Sequence, residues 1–481
     1  MATIRTTLAR ASSTVVLAVI CIAVTASATL WWWLARPPAP ALAVPDVIVL
    51  VTMDALRADH LGCYGYPRHT SPFIDRFLRT GVRFSKAFAP MATTAPSHAS
   101  LFTSLYPLQH NVRKNGHVLD DSFLTMAESL RAIGYVTAAF VSTDKHFKAG
   151  NMQQGFDVFD EPPETVGKYR IGEHTVAQAI AWLSERPARG RFFLWVHLFD
   201  AHVPYNPAHR FPNASPEAGQ RLLRFVIEQQ HVDFGFFHRD GHKLLALMDA
   251  YDGEVAAVDR AVQRLFRHIE TEFPTSKSFW IITSDHGEGL GNHRWLDHGK
   301  MIYNEQIRIP LMLHFPSGAF AGRVVDRVVE NVDIFPTVAA LTGESLDGQV
   351  PAIQGTSIVP LLLNSHDKLP PRYAFAQRRD FDKRPRRIIP ERTVYESGKK
   401  YALQDGRYKY ILRTAATDEF FHVEDDPYEV TNLIGSPSAG RDRLRNALLA
   451  KIDELKRGVT RTPKSVDART KERLRALGYV E

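Results

Sequence analysis

The chain has 481 residues, 44% of them hydrophobic and 23% charged, a composition that excludes a largely disordered protein. Its net charge of +7 is spread along the sequence rather than gathered into a tail. That distribution argues against nucleic acid as a partner and suits an anionic substrate or a membrane surface.

In chain order, the first element is apolar. After Arg5 and Arg10, residues 14–34 read TVVLAVICIAVTASATLWWWL without a charge, about the length needed to cross a bilayer as a helix. This predicts a cytoplasmic N-terminus over 1–13, a single-pass anchor over 14–34 and a Pro-rich linker over 35–45. The rest of the chain is then expected on the extracytoplasmic, periplasmic side of the cell membrane. The rival reading is a cleaved signal peptide, since Ala26-Ser27-Ala28 is an A-x-A site. Of the two cysteines, Cys21 lies in this segment and Cys63 beyond it, so no internal disulfide is expected.

Three apolar runs follow that read as strands covered on both faces: VIVLVTM (47–53), FFLWVHLF (192–199) and SFWIITS (278–284). Each delivers ionisable residues just beyond its carboxyl end: Asp54, then Asp200 and His202, then Asp285 and His286. Ligands bind at that edge of an open α/β sheet. Helices are predicted over 71–81, 121–134 and 253–270, which makes the fold class α/β, a central mostly parallel sheet flanked by helices. The insertion over 206–248 is amphipathic and aromatic and is expected to form a lid. The basic run 378–392 reads as a solvated loop. Beyond it, hairpins around Ser397-Gly398 and Asp405-Gly406 and an amphipathic helix predict a smaller C-terminal β-sheet-plus-helix subdomain. The expected division is a catalytic domain over 46–370 and this subdomain over 371–481.

Two carboxylates, a histidine and a hydroxyl from the stretch MATTAPSHAS would converge on one sheet edge, and such oxygen and imidazole donors suit a divalent cation, zinc or manganese first. The stretches VIVLVTMDALRADHLGCYGY, TTAPSHASLFTS, TSDHGEGLGNHRWLDHGKMIYNEQIRIPLML and VDIFPTVAALTG resemble the sulfatase-like branch of the alkaline phosphatase superfamily. The resemblance implies that Asp54, Asp285 and His286 bind the metal, with calcium a further option. It also implies that the nucleophile, itself a ligand, stands first in the CxPSR-like motif. That motif is TAPSH here, so the nucleophile position is Thr94, and only the motif register separates it from Thr93. Pro96 is placed at the first helical position, leaving Thr94 just before the helix.

Departures from the sulfatase pattern carry the functional expectation. Threonine is not expected to be converted to formylglycine, and the family's paired Asp-Asp is Asp54-Ala55 here. The segment SDHGEGLGNHRWLDHG is similar to metal-dependent phosphoethanolamine transferases, which makes His298 a second active-site histidine. The resemblance further implies His202 near the leaving group, Asn115 on a phosphoryl oxygen and Lys300 in the site, whereas Asp200 is expected to orient a backbone turn. The expected substrate is an anionic ester, lipid- or glycan-linked, with no nucleic acid partner. The expected activity is metal-dependent phosphoester hydrolysis or phosphotransfer through Thr94. The alternatives are a sulfuric ester hydrolase without formylglycine and a catalytically silent envelope protein.

Overall fold

In the computed structural model the three apolar runs lie side by side. An eight-stranded sheet comprises β1 (Val47–Met53), β2 (Val82–Phe88), β3 (Val136–Val141), β4 (Val158–Asp160), β5 (Phe192–Leu198), β6 (Ser278–Ser284), β7 (Arg308–His314) and β8 (Arg323–Glu330). Their order is β8-β2-β7-β6-β1-β5-β3-β4, and β7 runs antiparallel to both its neighbours while the other pairs are parallel. Every residue of β1, β5 and β6 is buried, as their unbroken apolar runs require of strands with both faces covered.

The structure describes residues 42–77, 79–143, 146–163, 169–186, 190–212, 215–273, 277–316, 318–349, 351–363, 369–379, 398–457 and 463–476. By its contacts the chain divides into Met1–Leu42 and Ala43–Glu481, and the central sheet with its helices lies wholly within the second unit.

Helices cover the sheet on both faces. On one, α2 (Gly172–Ser184) and α3 (Gly241–Glu272) set Val176, Ala179, Val255, Val258 and Val262 in one core cluster with Val47, Val49 and Val51. On the other, α1 (Thr94–Thr103) is buried along its whole length, and its His98 bonds Thr52 of β1. Helix α4 (Ile334–Thr342) packs against α1. The helix expected over 253–270 begins at Gly241, because the Asp240 carboxylate caps it by accepting from the His242 and Lys243 N–H groups. Leu222, Val226, Val232 and Phe237 of the insertion expected to form a lid are buried in the main core.

The smaller antiparallel sheet is β9 (Ala374–Gln377), β10 (Lys400–Gln404), β11 (Lys409–Arg413) and β12 (Glu419–Phe421) in that order, with Asp405-Gly406 turning β10 into β11. Helix α5 (Ala439–Lys456) covers it through Leu444, Leu448, Ile452 and Leu455. Residues 380–397, which hold most of the predicted basic loop, lie outside the described residues; Arg378 and Arg379 beside them are buried.

The localisation expected from the sequence needs correction. Among the described residues no helix is long and apolar enough to cross a membrane, so the single-pass anchoring finds no support. The 14–34 segment and most of the linker lie outside the described residues.

One buried ion pair ties the small sheet to the rest. Lys409 Nζ lies 2.7 Å from Glu429 Oε1 and donates to the Ile302 carbonyl and to Asn304 Oδ1, with both charged side chains fully buried. Removing one partner strands the other charge away from water. Lys409→Met is expected to cost about 3–5 kcal/mol of stability, with the double change Lys409→Met/Glu429→Leu recovering most of it, as measured by denaturant unfolding.

Candidate functional site

Register brings the first two candidates together. Met53 of β1 pairs with Ser284 of β6 and with Leu198 of β5, so Asp54 and Asp285 are the next residues beyond two adjacent strand ends. The Asp54 N–H donates to the Leu198 carbonyl at 2.8 Å, extending the ladder by one bond. Ala55 then turns away with φ 56°, a left-handed conformation costly for a residue with a Cβ, and its N–H donates to Asp285 Oδ1 at 3.2 Å. His286 follows. Its Nδ1–H donates to the Gly287 carbonyl at 2.8 Å, which leaves the Nε2 lone pair facing Asp285 Oδ2 at 3.4 Å and Asp54 Oδ1 at 3.6 Å. Gly287 is required here: a Cβ would lie 2.2 Å from the Glu305 carbonyl oxygen.

Thr94 joins this group from α1. Its Oγ1 lies 3.4 Å from His286 Nε2. Thr93 is the N-cap of α1, but its hydroxyl turns back to donate to the Ala92 carbonyl at 2.7 Å, so the structure separates the two threonines. The helix begins at Thr94 rather than at Pro96 as expected. Asn115 comes to the same place, its Oδ1 accepting the Ala95 N–H at 2.8 Å. That contact satisfies one of the donors expected to be free at the helix start.

Asp54, Thr94, Asp285 and His286 are all fully buried. Burial opposes ionisation of Asp54, but His202, His197 and His286 outweigh it and hold its carboxyl far below the usual range. Burial and then the charge on Asp54 push Asp285 well up. Burial, followed by His298, holds His286 neutral, down at about 3.

His202 and His298 border this cluster. The His298 ring lies 4.4 Å from that of His286 and 4.8 Å from that of His202, centroid to centroid. Burial opposes the charge on His298, but Glu288 and Asp297 overcome it and raise it to about 9; burial lowers His202. Lys300 is placed differently, with its ammonium 4.8 Å from the centre of the Trp295 ring. Asp200 does what was expected of it: both its oxygens accept the Gly172 N–H at the start of α2.

A family model described as Sulfatase matches residues 46–344. This chain belongs to the sulfatase family. A model described as N-sulphoglucosamine sulphohydrolase, C-terminal, matches residues 291–458. The chain is 26% identical to the multifunctional alkaline phosphatase superfamily protein PehA of Trinickia caryophylli, over 86% of this chain and 96% of that one. It is 22% identical to an N-acetylglucosamine-6-O-sulfatase of Bacteroides thetaiotaomicron, over 81% and 83%. Its fold matches the phosphonate monoester hydrolase of Agrobacterium radiobacter with a TM-score of 0.63 at 22% identity, covering 86% and 95% of the two chains. This sulfatase-family chain is therefore a hydrolase of the alkaline phosphatase superfamily.

Enzymes of the family use a divalent metal, and the residues present fit one. Ligand atoms of Asp54, Asp285 and His286 all lie within 4.8 Å of one another. An imidazole lone pair faces two carboxylate oxygens there, and among the described residues Asp285 Oδ2 accepts no hydrogen bond. A cation at that buried point would compensate the acceptors that converge on it. Two other groups have the same spacing, Asp200–His209–Glu254 and Glu288–Asp297–His298. Their oxygens instead accept from nearby donors: Gly172 and Asn206 N–H groups in the first, Gly289 and His298 N–H groups in the second.

Sequence reading missed two histidines of the sulfatase-family site. His98 Nδ1–H donates to the Thr94 carbonyl at 2.9 Å and its Nε2 accepts from the Thr52 hydroxyl at 3.1 Å. His197 bonds the same hydroxyl through Nδ1 at 3.0 Å and brings Nε2 within 3.6 Å of Asp54 Oδ2. His98 stands last in TAPSH, where the CxPSR pattern has arginine. A lone histidine inside the apolar run FFLWVHLF was the available signal for His197.

The electrostatics give an expected outcome for metal removal. Adding zinc or manganese at about 100 times its dissociation constant stabilises the chelated protein by about 2.7 kcal/mol. Asp285→Asn is expected to raise the melting temperature of the chelated protein, by removing the carboxylate repulsion, and to abolish most of the metal-dependent gain. Thermal scans with and without chelator check both.

Proposed function

We propose that this enzyme is a metal-dependent phosphoester hydrolase or phosphotransferase that works through Thr94. The observation that carries the reading is the Thr94 hydroxyl at the N-terminus of α1, 3.4 Å from His286 Nε2, the same nitrogen that lies 3.4 Å from Asp285 Oδ2 and 3.6 Å from Asp54 Oδ1. Asp54, Asp285, His286 and Thr94 Oγ1 would hold the divalent ion, zinc or manganese, which would supply charge neutralisation for the nucleophile and the phosphoryl oxygens. Thr94 gives up its proton to water, and its oxygen bonds to phosphorus as the ester P–O bond breaks in line. Asn115 orients the start of α1 and with it the Thr94 backbone. The His202–His298 pair protonates the departing oxygen and later takes a proton from the water or alcohol that releases Thr94. Lys300, over Trp295, contributes positive charge at the edge of the site rather than a step.

Threonine supports phosphate over sulfate chemistry. A phosphothreonine ester is open to a second in-line attack, whereas the sulfate route through formylglycine needs an aldehyde that threonine does not yield. The relation to a multifunctional superfamily protein is consistent with this reading. A second reading, a sulfuric ester hydrolase acting on sugar sulfates, is favoured by the N-acetylglucosamine-6-O-sulfatase relative and by the match over residues 291–458. It uses the same residues.

Matched nitrophenyl phosphate monoester, phosphate diester and sulfate, assayed with the full chain, separate the two. Phosphate turnover is expected to exceed sulfate turnover, and the reverse would replace the first reading by the second. Thr94→Ala is expected to lower turnover by about three orders of magnitude or more. Intact mass under turnover is expected to show a phosphate adduct on the wild type and none on Thr94→Ala.

A further inference from the structure

Helix α3 lies beside the site without supplying any residue expected to react, yet one of its turns touches both loops that do. The segment reads YDGE, residues 251–254, and all four residues are buried. The Tyr251 hydroxyl donates to the Ala55 carbonyl at 2.8 Å and accepts the Arg57 N–H at 2.9 Å. It thus clasps the turn after Asp54, where Ala55 is held in its left-handed conformation. Asp252 continues the same attachment, meeting His60 Nδ1 at 2.9 Å, the Tyr66 hydroxyl at 2.8 Å and Arg68 at 2.7 Å.

Glu254 faces the other loop. Its Oε1 accepts the Asn206 N–H and its Oε2 meets His209 Nδ1 at 2.6 Å. Between these carboxylate contacts the helix backbone itself abuts the loop: a Cβ on Gly253 would lie 1.2 Å from the His209 carbonyl oxygen, so only glycine permits this approach. The opposite end of the loop is fixed by Asp200 on the Gly172 N–H. His202 lies between these two anchors, its ring stacked on Phe199 at 4.5 Å. Tyr205 of that loop closes the arrangement by packing edge-on against Tyr251, 5.9 Å between centroids.

We infer that Tyr251 and Glu254 are positioning residues, Tyr251 for the loop that carries Asp54 and Glu254 for the loop that carries His202, so that one helical turn sets the distance between the metal ligands and the proton-handling histidine. The inference rests on the roles proposed above for Asp54 and His202. It makes the two residues separable, although they are neighbours on one turn. Tyr251→Phe loosens the Asp54 turn and leaves the His202 loop tethered; Glu254→Ala does the reverse.

The test uses the full chain with zinc or manganese as the metal probe and a series of aryl esters of falling leaving-group basicity. Tyr251→Phe is expected to weaken metal affinity about tenfold, by chelator competition, with the dependence on leaving group unchanged. Glu254→Ala is expected to keep metal affinity and to lose about tenfold on a phenyl ester but less than about twofold on a dinitrophenyl ester, because only the poor leaving group needs the proton. Glu254→Gln, which keeps the acceptor for Asn206, is expected to restore most of the phenyl ester rate. If Glu254→Ala does not fold, Glu254→Asp carries the same test, with the steeper dependence expected from the shortened tether.

Equal losses on every ester, or losses that track melting temperature with metal affinity unchanged in both variants, would overturn the inference and leave α3 a packing element. Each comparison is a ratio to wild type on whichever ester, phosphate or sulfate, the wild type turns over. A sulfate-only wild type or a fully active Thr94→Ala would therefore defeat the proposed function without deciding the question put to Tyr251 and Glu254.

Discussion

Asp54 and Asp285 are held side by side away from water, and the local chemistry is arranged around that fact. The pairing of β1 with β6 ends at Met53 and Ser284, so the two carboxylates emerge from adjacent strand ends with no freedom to separate. Two anions in that position repel, and burial raises the cost of charging either. The structure answers asymmetrically. Histidines gather on Asp54 and hold it ionised, while Asp285 is left to bear the penalty. A divalent ion resolves the conflict directly, which is why this fit is strong electrostatic support for the family's metal requirement.

The surrounding hydrogen bonds serve to keep lone pairs aimed inward. His286 gives its Nδ1 proton to Gly287, and His98 gives its own to the Thr94 carbonyl, so each imidazole is committed to one tautomer by a neighbouring backbone oxygen. His298 differs, because Glu288 and Asp297 hold it charged. Neutral and charged rings therefore stand within 5 Å of one another, 4.4 Å for His286 and His298.

Rigidity comes from outside this shell. Helix α3 joins the loops after β1 and β5, and the Lys409–Glu429 pair joins the small sheet to the Ile302–Asn304 segment just beyond His298 and Lys300. Both attachments place charged or polar groups where they cannot be rehydrated, so each is satisfied almost completely by partners from another part of the chain.

Much of this was legible in the sequence, and the division has a physical basis. Largely apolar runs located β1, β5 and β6 almost to the residue, since a strand buried on both faces reads as a near-continuous hydrophobic run rather than an alternating one. Asp54, Asp285 and His286 could be named because they come directly after those runs. The start of α1 was misplaced by a local proline rule, whereas the helix starts at Thr94 and Asn115, 20 residues along the chain from Ala95, satisfies its second N–H. The contacts of His98, His197, Tyr251 and Glu254 were missed for a common reason: each bonds a partner distant in sequence, as Tyr251 does Ala55, 196 positions away. The sequence by itself determined which segments are strands and which side chains stand at their ends, because burial pattern and chain order are local properties. Only the tertiary structure decided which threonine hydroxyl approaches His286, which ring nitrogens carry protons and which helix meets both loops, because those depend on lateral packing between segments far apart in the chain.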